Sequence, residues 1–149
     1  MRNEELNKLN VFIGKWHHEG TSYGNGQNIN NKSASAVPWV SDESYEWLPG
    51  NFFVLHKWSA KTGNSSFIGT EIIGYDETKN EFFAYFFDNS GFHPIYKVTV
   101  ENDTWNFSEP NTKAKVIINN NDTITFHWLW KHDGSDWLPL CDRIAKRVK

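Results

Sequence analysis

The 149-residue chain is poor in several things, and each scarcity narrows what it can be. Its single cysteine, Cys141, rules out an internal disulfide, so the fold must rest on packing, and a reducing, cytoplasmic setting is expected. No stretch approaches the ~20 apolar residues of a membrane-spanning helix, and no membrane insertion is expected. The opening Met1-Arg2-Asn3-Glu4-Glu5-Leu6 lacks the apolar core of a secretion signal. Basic runs are missing too. A net charge of -3 without a positive stripe speaks against a nucleic-acid partner. There is no His-Glu-x-x-His, no paired cysteines, no phosphate-binding glycine loop and no Gly-x-Ser-x-Gly elbow, so the commonest metal, nucleotide and hydrolase signatures are absent.

Aromatic residues, by contrast, are abundant: eight Trp and eleven Phe favour half-buried pleated surfaces over helices. Asn3 is placed to cap a short helix running to about Val11, with Leu6, Leu9 and Phe12 or Ile13 roughly on one face. Gly14 ends it and a first strand follows, about 15 to 24. The polar, glycine-bearing stretch from Gly24 to Asn31 reads as a rim loop. Ser33 to Leu48 reads as one long strand or two, because Pro38 and Ser41-Asp42 interrupt it.

Beyond Pro49-Gly50 short strands and tight turns alternate to the last strand, Trp137 to Ala145, with no βα alternation and no internal repeat. About ten strands with hairpin-length links form a meander, and closure is how such a meander removes its edges. The expectation is a single all-β domain over 1–149: one antiparallel up-and-down β-barrel with a short N-terminal helix.

Strand parity orients some side chains. Lys57 shares a face with Phe53 and Leu55, so a solvent-facing lysine turns His56 inward with Val54 and Trp58. Trp16, His18 and Gly20 share a face, so His18 points inward if Trp16 does. Pairing about Asp133-Gly134 places Phe126, Trp128 and Trp130 with Trp137, Pro139, Cys141 and Arg143, and turns His127 outward. That face is bulky enough to fill much of the nearby interior.

Several of these segments carry a resemblance. Gly14-Lys15-Trp16 resembles the Gly-x-Trp opening of the calycins, the superfamily of lipocalins and fatty-acid-binding proteins. Trp16 and Gly20, Tyr45-Glu46-Trp47-Leu48-Pro49-Gly50, Phe52-Phe53-Val54-Leu55-His56, Glu71-Ile72-Ile73-Gly74-Tyr75-Asp76, Phe87-Asp88 with Gly91, and Asp133-Gly134-Ser135-Asp136-Trp137-Leu138-Pro139 are similar to a bacterial single-domain family of calycin-like barrels. That resemblance implies a fold and no activity. More distantly the chain resembles the nitrobindins, ten-stranded haem-binding barrels, but has His18 where their pattern has glycine. No position matches their haem-ligating histidine. In lipocalin-like proteins a basic residue near the chain end packs over the Gly-x-Trp ring, which gives Arg143 and Trp16 the role of closing the barrel.

The candidate ligand-binding residues are His18, Trp47, His56, Glu71, Tyr85 and Trp128. Glu71 and Tyr85 pair if the Glu77-Thr78 turn is symmetric, and Glu71 lies on the strand after His56. A buried Glu beside a His could orient a ligand's polar head or act as an acid–base pair; ahead of both stands a satisfied polar pair in a packed core, or a Glu71 that faces water. Tyr23, Trp39, Trp47 and Trp58 would line a pocket mouth or, equally, a homodimer interface. The expectation is a barrel holding a small, largely apolar molecule, with no cofactor and no catalytic residue. The alternatives are haem on His56 or His18, an acid–base enzyme using Glu71 and His56, and a filled barrel acting through its surface.

Overall fold

The computed structural model describes residues 2–24, 35–132 and 136–149. A 3₁₀ helix over Glu4–Val11 opens the chain; Asn3, in an extended conformation, accepts the Glu5 amide on its side chain at 2.8 Å. Leu6 and Leu9 are buried on its inner face and Phe12 just beyond it. Gly14 then takes φ +130°, a backbone position that disfavours any Cβ, and Arg147 Nη1 occupies the space where one would sit.

The strands follow in a simple meander: β1 (Gly14–Ser22), β2 (Val37–Trp47), β3 (Val54–Thr62), β4 (Ser65–Asp76), β5 (Glu81–Asp88), β6 (Ile95–Glu101), β7 (Thr104–Glu109), β8 (Thr112–Asn120), β9 (Thr123–Trp130) and β10 (Leu138–Arg147). Each pairs antiparallel with the next, and β1 pairs with β10, so the sheet closes on itself. The barrel expected from the spacing of turns is the barrel observed. Closure leaves no edge strand to recruit another chain.

The region from Ser33 to Leu48 forms one strand, β2, rather than two, with residues 33–34 outside the described residues. Pro38 is tolerated near its start, where its carbonyl still accepts the Gly63 amide at 3.1 Å. Of the expected rim loop only Gly24 is described; residues 25–31 lie outside the described residues, as do Asp133–Ser135 of the last turn.

The 3₁₀ helix plugs one end. Leu6, Leu9 and Phe12 pack there against Trp16, Tyr45 and Val54. Trp16 donates its indole N–H to the Phe12 carbonyl at 2.7 Å. The cation over its ring is Arg147, 4.2 Å from the centroid, which also donates to the Ile13 carbonyl at 2.5 Å. Barrel closure by Arg143 is therefore corrected. The β1–β10 register sets Trp16 opposite Arg147 and Gly20 opposite Arg143, which leaves Arg143 to point into the barrel further along.

Four other placements differ from expectation. Glu71 pairs with Phe86 and Tyr85 with Ile72, because the β4–β5 turn pairs Asp76 with Glu81; this register puts Tyr85 on the outer face, 45% exposed. Trp47 sits at the plugged end, donating to Asn10 Oδ1 at 2.8 Å, away from the central polar residues. A bulge between Pro139 and Cys141 brings Leu138 inward opposite Trp130, and Trp137 packs instead against Lys113 and Lys131. Trp39 and Trp58 face the interior at 4% and 5% exposure, so they form no outer interface.

Candidate functional site

Midway along the barrel six polar side chains from five strands meet in an otherwise apolar interior. On β2, alternation sends Trp39, Ser41, Glu43 and Tyr45 inward. On β1 the same rule sends His18 inward beside Trp16; on β3, His56; on β4, Glu71; on β10, Arg143. The register brings Glu43 and Tyr45 beside β3, with His56 opposite both Tyr45 and Glu71.

His56 is the hub. Its Nδ1 lies 3.0 Å from Glu71 Oε1 and its Nε2 2.7 Å from Glu43 Oε1. Tyr45 stacks on the imidazole at 3.9 Å between centroids and 4° between planes, which fixes the ring in its slot. Burial works against a charge on His56, but the hydrogen bonds to Glu43 and Glu71 outweigh it and hold its pKa above the ordinary value. With two carboxylates as acceptors, both ring nitrogens donate, and the unit is a carboxylate–imidazolium–carboxylate chain.

Glu43 organises the other side. Its Oε2 accepts the Ser41 hydroxyl at 2.6 Å, and Ser41 in turn accepts the Trp39 indole N–H at 3.0 Å. The same oxygen lies 3.4 Å from His18 Nδ1 and 3.9 Å from Arg143 Nη1. Desolvation would raise the Glu43 pKa, but the Arg143 charge and the His56 hydrogen bond overcome it and keep the carboxyl ionised well below the usual range. His18 behaves oppositely: desolvation dominates and lowers its pKa to about 3, so it is neutral near pH 7. It lies against Phe126, centroids 5.0 Å apart, and neither ring nitrogen has a hydrogen-bond partner.

The polar side chains differ in exposure. Arg143 is 8% exposed and His56 7%, whereas His18 is 0%. Phe67, Phe86 and Trp128 are half-buried at inward-facing positions, and Trp58, itself buried, packs against Phe67 and Phe86. Trp58 leans over Gly69 so closely that a Cβ there would collide with its indole. Two grooves, about 510 Å³ across β1–β4 and about 310 Å³ beside Tyr85 and Lys97, run chiefly over outward-facing residues, the larger also bordered by Glu43 and Trp58. Among the described residues no three His, Cys, Asp or Glu side chains are arranged so that they could hold a metal ion.

Of the expected ligand residues, His18, His56 and Glu71 come together, Trp128 lines the interior above them, and Trp47 and Tyr85 stand apart. Sequence reasoning missed Glu43, Ser41 and Arg143 as members of the cluster. The signal was present in β2: the alternation Trp39, Ser41, Glu43, Tyr45 carries the polar pair inward with its aromatic neighbours. Reading Ser41-Asp42 as a break hid that parity.

No family model matches the chain, and no curated protein matches it. Solved structures do. The S-type phycobiliprotein lyase CPES from Guillardia theta is similar at 12% identity, covering 99% of this chain and 94% of that one, with a TM-score of 0.59. Rv2717c from M. tuberculosis is similar at 11% identity over 100% of both chains, with a TM-score of 0.64. At these identities the likeness extends to the fold alone.

Proposed function

We propose that the barrel reversibly binds a small, largely apolar molecule in the half of its interior away from the 3₁₀ helix, without covalent chemistry. The observation that carries this reading is the set of half-buried aromatic rings, Phe67, Phe86 and Trp128, facing inward on that side. Side chains inside a closed barrel that keep contact with solvent are available apolar surface, and such surface above a few fixed polar groups is what small-molecule sites offer. The plugged half has no comparable access, since its core residues are sealed by Leu6, Leu9 and Phe12.

The geometry favours this reading over the other two chemical ones. Both nitrogens of His56 are committed to carboxylates, so it offers neither a free lone pair for haem iron nor an open face for a general base. His18 is wholly buried beside Glu43. The test is native against denaturing mass spectrometry of freshly purified protein, followed by titration of its tryptophan fluorescence with apolar probes. A non-covalent mass lost on denaturation, or saturable quenching by a probe, is the expected result. A bare mass in both measurements together with no response to any probe would mean a filled barrel acting through its surface.

A further inference from the structure

The outward member of each alternating pair on a barrel strand meets water and is ordinarily polar. On β3–β6 that rule fails. The register lines up Leu55, Ile72, Tyr85 and Ile95 in one row across the four strands, all on the outer face. Phe83 and Phe87 flank Tyr85 on β5, and the Phe83 and Tyr85 ring centroids are 5.3 Å apart. Phe53 and Phe83 crowd the space beside Gly74, where a Cβ would fall 2.6 Å from Phe83 Cζ and 2.9 Å from Phe53 Cδ1, so the glycine lets both rings settle against the strand. Tyr85, Phe87 and Ile95 are 45%, 50% and 61% exposed. On the opposite side of the barrel the row Lys115, His127 and Asp142 across β8–β10 is charged and polar instead.

Size and charge say what covers this face. With about 200 Å² to an aromatic side chain, the exposed parts of these residues amount to on the order of 600 Å². That is the upper end for an apolar patch on a monomer, and with its polar rim it approaches the ~800 Å² per partner of a stable interface. The rim carries both signs on both flanks: Glu46 and Lys57 outward on β2 and β3, and Glu81 and Lys97, 3.4 Å apart, on β5 and β6. A nucleic acid or an anionic membrane calls for a cationic rim. A rim of mixed sign suits a copy of itself, because a two-fold rotation lets each cation meet an anion twice. The groove of about 310 Å³ beside Tyr85, Ile95 and Lys97 adds relief into which a protruding ring fits. Closure has also removed the edge strands, so two chains cannot join by extending the sheet, and contact face to face is the route left. We propose that the outer face of β3–β6 is a homodimer interface, on which a second copy of this chain seats the same face about a two-fold axis. The interface is independent of the interior site.

The test is analytical ultracentrifugation of the unmodified chain between about 1 and 200 µM, where mass action should carry it to the dimer mass. Tyr85→Glu should raise the dissociation constant about a thousandfold, since a central contact worth about thirtyfold is lost twice in a two-fold interface. Lys115→Glu, on the opposite side, should leave the dimer as it was. Circular dichroism checks that both variants keep the fold. A monomer over the whole range overturns the proposal, as does a dimer that survives Tyr85→Glu or is lost in Lys115→Glu. A monomer that sediments with phosphatidylcholine vesicles, and ceases to in Tyr85→Glu, assigns the face to lipid and equally overturns it. Should Tyr85→Glu fail to fold, hydroxyl-radical footprinting of the unmodified protein decides. Oxidation of Tyr85 and Phe87 should fall as concentration rises while that of His127 stays constant, and Tyr85 oxidation indifferent to concentration sinks the proposal.

Discussion

Glu43 holds His56 by a 2.7 Å hydrogen bond between two side chains that are both almost fully buried. The carboxylate is a counter-ion for His56 and Arg143 together, so removing its charge leaves Arg143 without its acidic neighbour and His56 with Glu71 alone. Breaking a buried pair by deleting one partner costs on the order of 3–5 kcal/mol, because the remaining charge is left uncompensated. Glu43→Gln should therefore lower unfolding stability by that order in urea titrations and lower the His56 pKa followed by ring NMR. Glu71→Gln should cost less, since Glu71 serves His56 alone. Equal costs for the two variants would show that Arg143 does not depend on Glu43.

The same groups set how stability responds to pH. His56 has a raised pKa in the fold, so its contribution is full below its ordinary value of 6.5 and is lost as pH rises through the raised value. His18 is lowered to about 3, so the fold loses stability as pH falls from 6.5 toward 3, where the unfolded chain binds a proton that the folded one refuses. Glu43, also lowered, adds to that loss below its ordinary 4.5. Stability should peak near pH 6.5, with an acid limb no steeper than about 1.4 kcal/mol per pH unit from His18 alone. His18→Leu should flatten the limb between pH 6.5 and 4.5, measured by urea unfolding at a series of pH values. An unchanged limb would assign the acid loss to other groups.

The barrel was legible because closure follows from coarse features: turn spacing, alternation and the lack of crossover segments. The cluster was legible only where one charged residue fixed a strand's parity, as Lys57 did for His56. Glu71 was found for its type and strand, yet its partner was misjudged, since a turn longer by one residue moves Tyr85 to the opposite face. Arg143 shows a deeper limit. Two arginines near the chain end, Arg143 and Arg147, both face inward by parity, and only the β1–β10 register decides which one meets Trp16. Register across the closing seam joins residues more than a hundred positions apart, and no local pattern encodes it.

That division of labour between the two arginines is itself testable. Arg147 stacks on Trp16 and donates to the Ile13 and Asn121 carbonyls, so it ties the helix end and a turn to the last strand. Arg147→Gln should lower stability by about 1–3 kcal/mol, from one cation–π contact and the carbonyl bonds, and should leave the fluorescence response to apolar probes alone. Thermal unfolding and the probe titrations check both halves. A loss of probe binding in Arg147→Gln would place the plugged end in control of the site.

Gly20 joins closure to the site. It sits opposite Arg143 in the β1–β10 ladder, and a Cβ built on it falls 1.9 Å from the Asp142 carbonyl oxygen and 2.7 Å from the Arg143 Cα. Both obstacles are backbone, so no side-chain rotation relieves them and the two strands must part. Overpacking of this kind costs about 1–3 kcal/mol or more, and the strain falls on the seam that closes the barrel. Gly20→Ala should lower stability by at least that much, speed hydrogen exchange of β1 and β10 amides ahead of the other strands, and shift the Arg143 Nε–Hε resonance by moving its backbone. Gly69→Ala is the control: its obstacle is the Trp58 side chain, so the disturbance should appear in the tryptophan environment and leave exchange at the β1–β10 seam unchanged. If Gly20→Ala is as stable as the parent, the strands approach less closely in solution than this geometry requires, and Arg143 is not held from that side.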